Sequence, residues 1–130
     1  MTQYPETHPD ELDTAVEQFN NRQWFECHET LEELWFGESG MKRDLYQGIL
    51  QIAVALYHWN NLNYPGTMKL LKTGVEILDK VDPVFMQVDV AGLSADSRRL
   101  REALETLGVE KMAELDDRLI PKIRRTHSAK

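Results

Sequence analysis

Cysteine occurs once, as Cys27, in a chain of 130 residues. A lone thiol excludes an internal disulfide and the paired-cysteine zinc sites, so any metal would need histidine and carboxylate ligands. Long apolar runs are missing too. No stretch approaches the roughly 18 unbroken apolar residues of a membrane-spanning helix, so no membrane association is expected. Met1 to Glu11 lacks the basic start and apolar run of a secretory signal, which makes the cytoplasm the expected location. Positive charge is in the minority, with 15 Lys and Arg against 22 Asp and Glu and a net charge of −7. That balance argues against a surface that tracks nucleic-acid phosphates. Against the trend, Lys122 to Lys130 holds Lys122, Arg124, Arg125 and Lys130 with no acid, and it reads as a flexible, solvated basic tail.

The remaining pattern is helical. Between the glycines and prolines, apolar residues recur every three to four positions rather than every two. A first helix opens at Pro9 with Asp10 and Glu11 behind it, aligns Leu12, Ala15, Val16 and Phe19, and ends near Asn20 and Asn21. A second runs from about Trp24 to Phe36 and stops at Gly37 and Gly40. The third spans about Lys42 to Asn61, before Asn63-Tyr64-Pro65-Gly66 breaks it. The fourth, about Pro65 to Lys80, aligns Met68, Leu71, Val75 and Leu78 and is closed by Asp82-Pro83. Val84 to Gly92 reads as irregular. A fifth helix, about Ala95 to Leu107, has Ser94, Asp96 and Ser97 for capping and Gly108 as its stop, and a weaker one follows from Val109 and ends before Pro121. With no repeat and no linker, residues 1–130 read as a single all-α domain, a compact bundle of about five to six helices around a buried central one.

Functional candidates concentrate on the second and third helices. On a helical wheel His28 falls between Trp24, Leu31 and Trp35 on one side and Phe25 and Phe36 on the other, and Glu32 follows one turn later. Two ionisable groups are thereby expected to face the core, with Glu29 at the boundary and Glu33 outside. The third helix is apolar nearly all round, with a stripe of Asp44, Gln47, Gly48, Gln51, Ala55 and His58 in which small residues admit another backbone. Buried amides and imidazoles need partners. An antiparallel pairing of the two helices is therefore expected to bring His28 and Glu32 to Gln51 and His58, supported by Glu29, Gln47, Trp35 and Arg43.

The pattern His28-x-x-x-Glu32-Glu33-x-Trp35, followed by Tyr46-Gln47-Gly48-Ile49-Leu50-Gln51-Ile52-Ala53-Val54-Ala55-Leu56-Tyr57-His58, resembles the bacterial and archaeal domain-of-unknown-function family numbered 309. The likeness covers about Phe19 to Leu71 and includes Arg43 ahead of the second motif. It implies an all-helical fold with His28, Glu32, Glu33 and Trp35 as a signature, and it supplies no activity.

Four readings stay open, and with them whether the chain is an enzyme. The first is a structural network that fixes helix register. The second is a small-molecule pocket or acid-base site, with Glu32 desolvated beside His28. The third is a mononuclear divalent-metal site on His28, Glu32 and His58, since residues four apart share one helix face. In the fourth the cluster is incidental and a surface does the work, in protein interaction or homo-oligomerisation, with Tyr57, Trp59 and Tyr64 as an aromatic patch. Cys27 reads as a small core residue rather than a nucleophile.

Overall fold

A computed structural model describes residues 10–126. Pro9, and the end of the basic segment beyond Thr126, lie outside them. Five helices follow in order: α1 (Asp10–Asn20), α2 (Trp24–Trp35), α3 (Gly40–Asn60), α4 (Tyr64–Leu78) and α5 (Val90–Leu107). A two-stranded hairpin, β1 (Val84–Phe85) and β2 (Val88–Asp89), precedes α5, and 3-10 segments at Val109–Glu114 and Asp117–Leu119 follow it. The fold is an all-α compact bundle.

The spacing on α1 does what it promised, burying Leu12, Ala15, Val16 and Phe19. The central element is α3, packed against α2 on one flank and α4 on the other. Its buried side chains include Leu45, Ile49, Ile52 and Leu56. Small residues on both helices let α3 and α4 approach closely. A Cβ built on Gly48 would stand 2.5 Å from Leu78 Cδ2, and one on Gly74 would stand 2.8 Å from Ile52 Cδ1. Asn63 starts α4 by accepting a hydrogen bond from the Gly66 N–H at 3.1 Å, with Pro65 in the first turn where its missing N–H costs nothing.

Two stretches differ from the sequence reading. Val84 to Gly92 is ordered as a hairpin leading directly into α5, which starts at Val90 rather than at about Ala95. Asp89 caps it by accepting from the Gly92 N–H at 2.9 Å. The two-residue turn holds Met86 and Gln87 at φ 51° and 61°. Hairpin turns of that geometry usually advertise themselves with Asn or Gly, and neither is present. Ser94, expected as a cap, sits inside α5, donating to Asp79 and accepting from Arg98.

The second difference is the basic segment. Residues 122–126 are docked rather than solvated. Ile123 is buried, and its N–H donates at 2.8 Å to Asn20 Oδ1 while its carbonyl accepts from Asn20 Nδ2 at 2.9 Å. Arg125 bridges to Val88 through the backbone and reaches Asp13 at 3.6 Å, and Arg124 reaches Asp89 and Asp96 at 3.5 and 3.6 Å. The chain's own carboxylates occupy these guanidinium groups. Composition reveals the charge of this segment but not the buried Ile120, Pro121 and Ile123 that tuck it in.

Tyr46 is 1% exposed. Burial, followed by the negative charges of Glu38 and Glu11, pushes its phenol from 10.0 to about 12. Between those values the folded chain retains a proton that the unfolded chain releases. Stability from this group is therefore intact below about pH 10 and falls as the pH rises toward 12. An alkaline denaturation series should show that decline in the wild type and lose this component in Tyr46→Phe.

Candidate functional site

Which way α2 faces determines what its signature can do. The buried side chains are Trp24, Cys27 and Leu31, so the covered face centres near Cys27 and Leu31 rather than on His28. This rotation puts His28 at the rim, half-buried, and leaves Glu29, Glu32 and Glu33 exposed. The expected burial of Glu32 is incorrect. Phe25 and Phe36, expected to flank His28 on the apolar face, are 50% and 81% exposed.

The expected buried network does not close. Gln51 accepts from the Thr73 hydroxyl of α4. His58 Nδ1 lies 3.2 Å from Asn63 Nδ2, and since Asn63 Oδ1 is taken by the Gly66 N–H, Nδ2 is the donor and the imidazole accepts. Its own N–H is then Nε2. His28 meets the Phe25 ring, with centroids 6.1 Å apart. Nor do His28, Glu32 and His58 form the expected metal site, because the described residues contain no group of three or more His, Cys, Asp or Glu side chains placed to hold an ion.

The structure instead shows three hollows along the outside of α2 and α3, which together are taken as one furrow. The helices run antiparallel, and on α3 the stripe beside α2 is Gln47, Leu50, Gln51, Val54, Tyr57 and His58, the repeat of one helix face, half-buried except for the exposed Tyr57. At one end a cleft of about 130 Å³ is lined by Trp24, Phe25, His28, Val54, Tyr57 and His58. Next comes a hollow of about 160 Å³ bounded by Glu32, Trp35, Gln47, Leu50 and Gln51. Glu32, Glu33, Trp35 and Phe36 then line a wider depression of about 520 Å³. Arg43 lies over the Trp35 ring, its guanidinium carbon 4.6 Å from the centroid. All the candidate residues except Glu29 are on this furrow or stacked on its wall. Phe25, Val54, Tyr57 and Phe36 belong to it as well, and nothing in their spacing separates them from core residues.

The electrostatics are one-sided. α2 carries Glu26, Glu29, Glu32 and Glu33, all exposed, and no Lys or Arg. Among the described residues no cation pairs with any of the four. Glu32 and Glu33 occupy the last turn, where the helix dipole disfavours negative charge, and Glu29 stands four residues from Glu33 in a repulsive pair. Two aromatic residues of the expected patch are accounted for otherwise, since the Trp59 indole donates to the Met112 carbonyl at 3.1 Å and the Tyr64 hydroxyl to the Leu104 carbonyl at 3.5 Å. Only Tyr57 of that trio is exposed, and it packs on Phe25 with centroids 5.8 Å apart.

Cys27 takes no part. It is buried, its thiol donates to the Ala15 carbonyl at 3.3 Å, and burial pushes its pKa from 9.0 to about 12. Because the thiolate is the reactive form, alkylation by iodoacetamide should be negligible in the native protein and rapid in denaturant.

The sequence profile described as "Domain of unknown function (DUF309)" matches residues 12–70. Residues 12–70 of the chain carry this family's domain. The matched span runs from α1 into α4 and contains every residue of the furrow. The chain is also 36% identical over 105 residues to the "Uncharacterized protein YpuF" of Bacillus subtilis (strain 168), an alignment covering 80% of this chain and 56% of that protein. The chain thus spans little more than half the length of the relative it matches. The match specifies no activity. Among the described residues no helix is long and apolar enough to cross a membrane.

Proposed function

We propose that this domain is a protein-interaction module whose α2–α3 furrow receives a basic amphipathic helix of a partner protein. The carrying observation is the union of two features on α2 and α3: apolar hollows bordered by exposed Phe25, Tyr57 and Phe36, and exposed carboxylates on α2 without a cationic partner among the described residues, of which Glu32 and Glu33 line the hollows. The stripe from Gln47 to His58 covers about 16 Å of helix. That length suits three turns of a third helix, in the manner by which amphipathic helices lay an apolar face into a groove. Arginine or lysine on its flanks would meet Glu32 and Glu33, with Glu29 and Glu26 adding negative potential from farther round α2, giving selectivity and faster encounter more than raw affinity.

The test uses two synthetic helical peptides with the same Leu and Phe stripe, one carrying Lys and Arg on its polar face and the other Glu, titrated while tryptophan fluorescence is followed. Saturable binding of the basic peptide alone, weakening as salt is added, supports this reading. Equal binding of the two peptides, or none of either, overturns it.

A further inference from the structure

The cleft at the α2–α3 end of the furrow has an unusual lining for an apolar anchor pocket. Five of its six residues, Trp24, Phe25, His28, Tyr57 and His58, present rings, and Val54 is the one aliphatic wall. The rings form a curved sequence, with centroid separations of 6.1 Å from His28 to Phe25, 5.8 Å from Phe25 to Tyr57 and 6.2 Å from Tyr57 to His58. Their planes are tilted by 36°, 42° and 57°, so successive rings turn relative to one another rather than stack flat. Aromatic faces carry negative electrostatic potential, and cages of them are a known way of holding alkylated ammonium ions.

The charges nearby agree. Neither α2 nor the part of α3 beyond Arg43 has a Lys or Arg to fill the cleft from within. Glu29 follows Phe25 by one helical turn and is exposed, which adds negative potential at the rim. Asn63 donates to His58 Nδ1 and so holds this ring in place beside Tyr57. On the same face the chain already seats one cation on an aromatic ring, Arg43 on Trp35.

We infer that the cleft formed by Trp24, Phe25, Tyr57 and the two imidazoles is a cation-accepting aromatic site, which takes the alkylammonium head of a lysine from the basic partner helix. The inference deepens the interaction reading above and rests on it for the identity of the occupant. Its chemistry is separable, because the cleft can be probed with small molecules.

Choline and 3,3-dimethylbutan-1-ol have the same shape and differ by one positive charge. Titrated into the full chain with the ring signals of Phe25, Tyr57 and Trp24 followed by NMR, choline should move all three and bind at least tenfold more tightly than the neutral alcohol. Phe25→Leu keeps an apolar side chain at an exposed position and removes the ring face. It should weaken choline at least fivefold and leave the alcohol unchanged. Equal or tighter binding of the alcohol makes the cleft an ordinary apolar pocket and overturns the inference, as does the absence of shifts with either compound. If choline fails while the basic peptide still binds, the inference falls and the furrow stands. If choline binds and the peptide does not, the partner reading falls and the cation site stands by itself.

Discussion

Replacing Glu32 and Glu33 together by lysine is expected to weaken the basic peptide at least tenfold while making the protein slightly more stable. The loss of affinity follows from replacing two negative charges beside the Trp35 hollow by positive ones facing a cationic partner. The gain in stability has an independent origin. Both residues lie in the last turn of α2, where a cation is favoured by roughly 0.3–1 kcal/mol at an exposed position. The Glu33→Lys change also converts the repulsion from Glu29 into an i, i+4 attraction of a few tenths of a kcal/mol. Urea denaturation of the double variant should therefore show a midpoint equal to or above that of the wild type. A residue set kept in a locally unfavourable arrangement has that cost offset elsewhere, and function is the usual reason. Glu32→Gln alone should stay within about 0.5 kcal/mol of wild type, because the side chain is exposed and bridges nothing in the core. A structural network on Glu32 would demand a loss of several times that size.

Gly48→Val is expected to be among the most damaging single replacements, at about 3 kcal/mol, the upper range for overpacking a core. Its Cβ alone would stand 2.5 and 2.7 Å from Leu78 Cδ2 and Cγ and 3.4 Å from the Leu78 backbone nitrogen. Leu78 is 1% exposed and enclosed by the core cluster. Overpacking of this kind forces helices apart, and the better intrinsic helix propensity of valine over glycine recovers only part of the cost. The urea midpoint reads it directly. Because α3 forms the floor of the furrow, the same variant should bind the basic peptide more weakly at temperatures where it remains folded.

Helix count and the middle of the bundle are legible in the sequence for a clear reason. On α1, α3 and α4 the apolar residues repeat along faces that neighbouring helices cover, and the stops at Asn20-Asn21, at Asn63 and at Asp82-Pro83 are chemically explicit. Gly48 and Ala55 signal close approach, and the element approaching Gly48 is α4. The orientation of α2 is not legible. Its apolar residues Trp24, Phe25, Leu31, Trp35 and Phe36 fill too wide an arc for one contact, and a wheel that averages them points at His28. Periodicity separates apolar from polar positions and has no means of telling a covered aromatic from an uncovered one. Phe25 and Phe36 are uncovered, and leaving them out turns the face toward Cys27. The same excess width is itself the sign of a second, unpaired apolar surface.

Gln51 and His58 illustrate a related limit. Each needs a partner, as its residue type and position imply, but the partners, Thr73 and Asn63, lie on or at the start of α4. Both helices flanking α3 offer polar groups, and spacing along one chain does not choose between them. The residues expected to form one cluster are consequently split by solvent rather than joined in the core: Trp35 is half-buried under Arg43, His28 rims the aromatic cleft, and Glu32 and Glu33 project from the wall.

That the furrow is a docking groove is checked by a residue-resolved NMR map of backbone amide shifts as the basic peptide is added to the wild-type chain. Perturbations are expected to concentrate on Phe25, His28, Glu32 and Trp35 of α2 and on Gln47, Gln51, Val54 and Tyr57 of α3, with α5 left unchanged. Perturbations confined to the α4–α5 face around Arg98 and Arg101, or scattered over every exposed carboxylate alike, would contradict it.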